Sequence, residues 1–350
     1  MSSRYKGGFI TDSIDPLQVP DAPTSVTASS GDATASVTGT APVNVGGGAI
    51  TGYLAATTDS TASATGSSLP ITVTGLTNGT SYAFNLYALN AYGISGLGGP
   101  SGSVTPAAAR AVFMGGFAAA YSNVIDYVTV ATTGNATSFG ALFQAQIYSA
   151  GSASNTLAVC SGGLKTGGTY TSSASYITIA TTGNSTNYGN LSSARSGPAG
   201  CGNSTYAFSC GGFSSGPTVY YSTMDRMEYA SLGTATNYAS LTTGTYWPAA
   251  ASSPTRAVFI WGGTVGGGVS TIQYIDMASG GTATDWGTSA VNAHPQGGSA
   301  FGSSTLGIFN FNGDNSTVIT YATTGTKADF GSAVSSPSGG SASSKTRGLY

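Results

Sequence analysis

The sequence predicts an all-β chain, and three observations predict it. Only 6 % of the residues are charged, against about 25 % in ordinary soluble domains. The 350 residues include 53 glycines and a single glutamate, Glu228, so good helix formers are scarce. Apolar runs are short, rich in β-branched and aromatic residues, and bounded by Gly, Ser, Thr and Asn, which reads as strands and turns. The length accommodates two or three domains.

A short stretch recurs five times in the C-terminal two thirds. The copies are Ala131-Thr-Thr-Gly134-Asn-Ala-Thr-Ser-Phe139, Ala180-Thr-Thr-Gly183-Asn-Ser-Thr-Asn-Tyr188, Ala230-Ser-Leu-Gly233-Thr-Ala-Thr-Asn-Tyr238, Ala278-Ser-Gly-Gly281-Thr-Ala-Thr-Asp-Trp286 and Ala322-Thr-Thr-Gly325-Thr-Lys-Ala-Asp-Phe330. Their glycines lie 49, 50, 48 and 44 residues apart. A period of this size marks a repeat architecture.

Each copy sits in a larger unit. An apolar strand runs into glycine, as in Arg110-Ala-Val-Phe-Met-Gly115-Gly, Leu157-Ala-Val-Cys-Ser-Gly162-Gly and Tyr206-Ala-Phe-Ser-Cys-Gly211-Gly. A second strand follows, such as Ile125–Val130 or Tyr176–Ile179. The recurring Gly134, Gly183, Gly233, Gly281 and Gly325 are then expected at tight hairpins that need positive φ. A third strand carries the aromatic anchor: Phe139, Tyr188, Tyr238, Trp286 or Phe330. A Gly/Ser/Ala-rich stretch leads onward. Such a three- or four-stranded unit is the size of a propeller blade, which buries its faces only by stacking on neighbours. The strand ending in Gly-Gly resembles the kelch motif, without its usual downstream Tyr and Trp spacing. Residues 107–350 are thus expected to form a five-repeat, five-bladed kelch-like β-propeller. Six blades or an open array are the alternatives, and Arg347-Gly-Leu-Tyr350 looks like the opening of a sixth copy.

Residues 19–106 carry a different pattern. Pro20-Asp-Ala-Pro23-Thr-Ser-Val26 reads as a first strand, Ala35–Val37 lies in a second, and Gly46–Tyr53 makes a turn and a third. Leu76 and Tyr82 have the spacing of a tyrosine corner, and Pro100–Pro106 is expected to be the last strand. Between them Tyr82, Phe84, Leu86 and Ala88 alternate with Ala83, Asn85, Tyr87 and Leu89, placing the first set on one face. These residues resemble a fibronectin type III β-sandwich. The tryptophan common in the second strand of that family is absent, with Val37 the nearest apolar candidate. The fold implies a spacer or carbohydrate-proximal module, and no chemistry.

Residues 1–18 are expected to be an extended docking arm, with Arg4, Tyr5, Lys6, Phe9 and Ile10 as contact residues. The alternative is a disordered tail. Ser2-Ser-Arg-Tyr-Lys-Gly-Gly-Phe-Ile10 resembles the N-termini of structural proteins in phages of marine bacteria and cyanobacteria.

Composition narrows the function. Ten Lys+Arg against twelve Asp+Glu give a net charge of −2, with no basic stripe to neutralise phosphates, so no nucleic-acid partner is expected. No apolar run reaches the roughly 20 residues of a membrane span, and the N-terminus shows no hydrophobic signal region. Cys160, Cys201 and Cys210 do not make a disulfide framework; Cys160 and Cys210 fit core strands, and one bridge stays open. Arg110 and Arg256 open equivalent strands, as Arg347 does, and are candidates to bridge blades.

No enzyme, cofactor or metal is expected. His294 is the only histidine and lies in a loop without a paired serine motif. Asp126, Asp225, Asp276, Asp285, Asp314 and Asp329 are material for the carboxylate pair of a glycosidase, but the sequence does not place two together, and each copy holds too few carboxylates for a calcium cage. Ser138, Asn187, Asn237, Asp285 and Asp329 precede the anchors and read as turn caps. The Gly-rich runs at 46–48 and 266–268 lack the Lys-Ser/Thr of a phosphate loop.

The sequence therefore reads as a non-enzymatic, multicopy structural protein of a tailed-phage virion, assembled in the host cytoplasm. It would be a fibre, a neck appendage or a capsid decoration, docked to other virion proteins by its arm and displaying a propeller, with host-surface glycans as a further partner. The alternative is a secreted or cell-surface carbohydrate-binding adhesin.

Overall fold

The computed structural model describes residues 17–117, 119–130, 134–215, 218–260, 262–264, 266–289, 298–310, 315–325, 327–332, 342–343 and 348–349. Every regular element among them is a strand. The chain divides into two units, residues 1–109 and 110–350. The docking-arm residues Arg4, Tyr5, Lys6, Phe9 and Ile10 lie outside the described residues, as do His294, Asp314 and Arg347.

The first unit is a two-sheet sandwich. Its strands are β1 (Thr24–Ser30), β2 (Thr34–Thr40), β3 (Gly52–Thr57), β4 (Ser63–Gly66), β5 (Ile71–Thr74), β6 (Phe84–Asn90) and β7 (Gly93–Ile94). One sheet has the order β1-β2-β5, the other β4-β3-β6-β7. Phe84, Leu86 and Ala88 point from one face of β6 into the core, where Val37 is also fully buried. The Thr77 amide donates to the Tyr82 hydroxyl at 3.1 Å, closing the tyrosine corner. The segment expected as a continuous last strand is instead irregular. It meets the β6 side at Gly98–Leu86 and Tyr82–Val104, and the Ser101 amide donates to Phe84. Pro100, which has no amide hydrogen, interrupts the ladder between them.

The second unit repeats one antiparallel sheet. Repeat two consists of Ala150–Ala153, Leu157–Ser161, Ser173–Thr178 and Thr186–Asn190 in sheet order. Repeat three is Ala199–Gly202, Tyr206–Cys210, Thr223–Glu228 and Ser231–Ser240. Repeat four is Ala249–Ser252, Arg256–Ile260, Thr271–Asp276 and Thr284–Thr288, and repeat five is Ser299–Gly302, Leu306–Asn310, Asn315–Thr320 and Lys327–Ser332. Repeat one has three strands, Arg110–Phe117, Tyr121–Thr129 and Thr137–Ala141. A last pair, Ala342–Ser343 and Gly348–Leu349, is antiparallel. Ala342–Ser343 lies near both Ser299–Gly302 and Arg110–Phe117.

The Gly/Ser/Ala-rich stretches are the innermost strands, and their small side chains have a purpose. Inner strands of repeats two to five lie against one another in succession. A Cβ on Gly200 would overlap the Gly151 backbone. Serines bind across the same seam: the Ser152 hydroxyl donates to the Cys201 carbonyl and the Ser252 hydroxyl to that of Gly202, each at 2.6 Å.

The recurring glycines also work between repeats. The expectation of positive φ holds for Gly233, Gly281 and Gly325 and fails for Gly134 and Gly183. Gly183 serves as an edge contact: its amide donates to the Phe139 carbonyl of the preceding repeat at 2.8 Å. Its own carbonyl fills the place where Gly140 lacks a Cβ. Gly233 sits against Gly189 in the same way, and Gly281 pairs in parallel with Ala239. The turns of repeats two to four thus dock on the outer strand of the repeat before.

This seating makes an asymmetric pair of outcomes. Gly200→Ala is expected to lower stability by about 1–3 kcal/mol, the cost of overpacking. Gly151→Ala, with nothing within 4 Å of the added carbon, should stay within about 0.5 kcal/mol. Chemical denaturation of the two variants measures both.

Candidate functional site

The aromatic anchors occupy one structural position, a β-bulge in the outer strand. The register shifts between Ser138 and Gly140 in repeat one and between Ala174 and Ser175, opposite Tyr188, in repeat two. It shifts again opposite Tyr238, Trp286 and Phe330. The extra residue of a bulge re-aims its side chain. Phe139, Tyr188 and Trp286 are accordingly buried, at 3–4 % exposure, and Tyr238 is partly buried against the same kind of core. Edge-to-face pairs hold them: Tyr127–Phe139, Tyr176–Tyr188 and Tyr274–Trp286. Asp285 caps its bulge by accepting from the Gly287 amide at 2.8 Å. The side chain of Phe330 is not among those described.

The arginines tie consecutive repeats. Arg110 donates to the Ile179 and Ala180 carbonyls at 2.8 and 3.0 Å, and Arg256 to the Tyr321 carbonyl at 2.6 Å. In the intervening repeats a tyrosine does this work. Tyr188 donates to the Glu228 carbonyl, and Tyr238 to that of Met277 at 2.9 Å. Arg110 and Arg256 also lie over Tyr127 and Tyr274. In repeat three the two residue types trade strands, with Arg226 lying over Tyr206 and Tyr238. Each such contact contributes about 0.5–1 kcal/mol.

Asp126 and Asp225 share a position in the strand beside the outer one, facing Ser138 and Asn237. Their surroundings differ. Asp225 is fully buried and forms an ion pair with Arg195, which is buried as completely. The Ser192 amide and hydroxyl donate to the same carboxylate oxygen at 2.9 and 3.0 Å. Arg195 also donates to the Thr223 hydroxyl at 2.7 Å. Gln273 repeats the arrangement without charge, accepting from the Thr242 amide and hydroxyl at 2.9 and 3.0 Å. This position clamps the linker between repeats; the carboxylate and amide are structural. Among the described residues, no three His, Cys, Asp or Glu side chains gather as a metal site.

The opposite end of the sheets from the docking turns holds another kind of cluster. After Gly162-Gly163 and Gly211-Gly212 the chain makes small side hairpins, Leu164–Lys165 with Thr169–Tyr170 and Phe213–Ser214 with Val219–Tyr220. These hairpins and the inter-repeat linkers bring six rings into contact. Tyr148 lies 5.6 Å from Trp247, Trp247 5.7 Å from Phe213, and Phe213 5.7 Å from Tyr170, centroid to centroid. Tyr246 joins Trp247 at 5.3 Å and stacks on Tyr220 at 5.1 Å. Tyr148 is 52 % exposed, and the other five are partly buried. The corresponding hairpin of repeat four, Gly263–Thr264 with Gly267–Gly268, contributes no ring; Gly263 instead leaves room for that of Tyr246.

Two members of this ridge hold unfavourable backbone conformations. Tyr148, Gly197 and Trp247 each stand two residues before an inner strand, with φ of 56°, 63° and 51°. Hydrogen bonds of 2.9 and 3.0 Å link the three backbones in order. Glycine adopts this conformation freely, whereas other residues are strained by roughly 1–3 kcal/mol. The Trp247 indole N–H is in addition buried without a partner. Sequence reasoning passed over these six aromatics. The available signal was the pairing of aromatics with the Gly-Gly hairpins, in Phe213, Tyr220 and Tyr246-Trp247.

Residues 21–104 match the family described as Fibronectin type III domain. The sandwich is a fibronectin type III domain. No curated protein matches the chain. Among solved structures, "Titin kinase and its flanking domains" aligns with 25 % of this chain at 29 % identity and a TM-score of 0.23; this chain spans 17 % of that one. "Structure of YjhT" covers 54 % of this chain and 66 % of its own, at 10 % identity and a TM-score of 0.45.

The three cysteines are free and buried. Burial pushes the Cys210 thiol up to about 12 and raises those of Cys160 and Cys201 as well. A thiol reagent should therefore label none of them in the native chain, even above the ordinary thiol value of about 8.5, and all three after denaturation. Because the folded-state values are raised, their contribution to stability is intact below the ordinary value and declines as pH climbs toward about 12. Asp225→Ala, which strands Arg195, should cost about 3–5 kcal/mol in denaturant melts, and the double variant with Arg195→Met should recover much of that loss.

Proposed function

We propose that this chain is a non-enzymatic attachment protein whose repeat domain displays a glycan-contact surface. The ridge of Tyr148, Tyr170, Phe213, Tyr220, Tyr246 and Trp247 carries the reading. Aromatic faces with hydroxyl-bearing edges suit the C–H faces and hydroxyls of sugars, and Tyr and Trp combine an apolar body with a polar handle. The fibronectin type III domain serves as a spacer and carries no chemistry of its own. The repeat sheets form a kelch-like propeller ring that the Ala342–Ser343 strand closes, a reading supported by its approach to both Ser299–Gly302 and Arg110–Phe117.

The setting we propose is a tailed-phage virion, with the arm around Arg4, Tyr5, Lys6, Phe9 and Ile10 docking many copies to the particle and host-surface glycans as the target. The leader's resemblance to phage structural proteins supports the virion, and the ridge supports attachment. A cell-surface adhesin uses the same ridge and differs in what the arm engages.

Two measurements separate these parts. The full chain on a glycan array should bind saccharides, and loss of residues 1–18 should leave that binding intact. An array without signal sinks the attachment reading. Immunogold labelling of purified particles should mark the virion only when residues 1–18 are present; unlabelled particles with the protein on cells instead favour the adhesin.

A further inference from the structure

We infer that the ridge takes an internal stretch of a neutral polysaccharide chain, laid along its outside, and that Tyr148 is the residue that grips it. This rests on the glycan-binding reading above and narrows it to a substrate class and a residue.

Ring spacing excludes a clamp. Tyr148 and Trp247 lie 5.6 Å apart with their planes at 52°, so they touch each other and leave no slot for a sugar ring between them. Tyr148, Trp247, Phe213 and Tyr170 instead follow one another at steps of 5.6, 5.7 and 5.7 Å. Phe213 also meets Tyr246 at 5.8 Å, so the rings join into one contiguous surface. An extended aromatic surface without a slot suits consecutive sugars better than a single terminal one.

Charge points to a neutral ligand. Arg195, in the linker that leads to Gly197, is consumed by its ion pair with Asp225. The two hairpins that carry rings contribute one charged residue, Lys165, among their paired strands. Hydroxyls are the more abundant polar groups: Tyr170 donates to Ser215 at 3.0 Å, and Ser214 lies 3.2 Å from the Tyr221 hydroxyl.

Tyr148 stands out within the ridge. It is the most exposed of the six rings, at 52 %, and it occupies a left-handed backbone position. The fold does not require a side chain there, since Gly197 fills the equivalent place in the next repeat with the same hydrogen bonding. An exposed aromatic held in a strained conformation at a position where glycine suffices is what a binding contact looks like.

The test uses the full chain and a neutral polysaccharide found by array, with its fragments from the monosaccharide up to the intact chain, titrated by calorimetry. Affinity is expected to climb with fragment length, with the monosaccharide too weak to measure. Tyr148→Gly should weaken binding by about tenfold, the loss of one good aromatic contact, without lowering the thermal midpoint, and Tyr148→Phe should retain most of the affinity. Equal affinity for monosaccharide and long fragment, preference for acidic glycans, or unchanged binding by Tyr148→Gly would overturn this inference while leaving the attachment reading standing. A lowered midpoint in Tyr148→Gly would assign Tyr148 to the fold and equally overturn it. Absence of binding to any saccharide by the unaltered chain would remove the attachment reading itself.

Discussion

The repeat domain depends on backbone meeting backbone between consecutive sheets. Gly200 lies against Gly151 at the inner seam, and Gly140 and Gly189 lie against Gly183 and Gly233 at the outer one. A propeller-sized sheet of four short strands has too little apolar surface to be stable alone. Its faces become a core only when the next sheet closes on them. Glycine at the seams lets the sheets approach until the aromatic anchors of one repeat reach the carbonyls of the next. Glycines at 140, 189 and 200 follow from this arrangement, since a Cβ at any of them would meet the neighbouring backbone.

The same constraint explains why the anchors sit in bulges. An unbulged outer strand would alternate Asn187 and Tyr188 between faces in strict period, with no correction to the sheet's path. The extra residue turns Phe139, Tyr188 and Trp286 inward and leaves the preceding polar residue outside. Arg and Tyr are then interchangeable as reporters between repeats, because either can reach a neighbouring carbonyl. Repeat three shows the freedom this gives: Arg226 and Tyr206 exchange strands while the stacked pair survives.

Much of this was legible in the sequence, and the failures have physical causes. The sandwich was readable because β6 alternates in strict period two and Leu76 to Tyr82 encodes a corner. The repeat was readable from Gly134, Gly183, Gly233, Gly281 and Gly325. The innermost strands were not, because Ala-Gly-Ser-Ala and Ala-Gly-Cys-Gly lack the β-branched residues that mark strands; packing against a neighbouring backbone selects small residues instead. Gly183 was misread for a related reason. A glycine between strands suggests a positive-φ turn, but Gly183 contributes backbone groups to the preceding repeat, and the close approach of its carbonyl is what requires glycine at 140. A turn signature also went unread. Ser154, Asn203, Ser253 and Ser303 each accept from the amides two and three residues on, tightening the corner between first and second strands of repeats two to five. The aromatic ridge was the hardest to foresee, since its members lie in three different repeats and meet only once the sheets are stacked.

That stacking also resolves an apparent waste. A fold organised around glycine at every tight place carries tyrosine and tryptophan at two of three equivalent left-handed positions, 148 and 247. Gly197 shows that the linker geometry needs neither. The Trp247 ring lies over Gly197, in space that any Cβ there would block. The glycine of one repeat therefore makes room for the ring of the next, and Tyr148 packs against that ring as well. Three linkers with one backbone shape thus yield a graded surface: an exposed ring, a bare seat and a supporting indole. Among the described residues of the repeat domain, left-handed backbone at a non-glycine residue falls only at these two linker positions, and the close approaches at the seams are left to glycine.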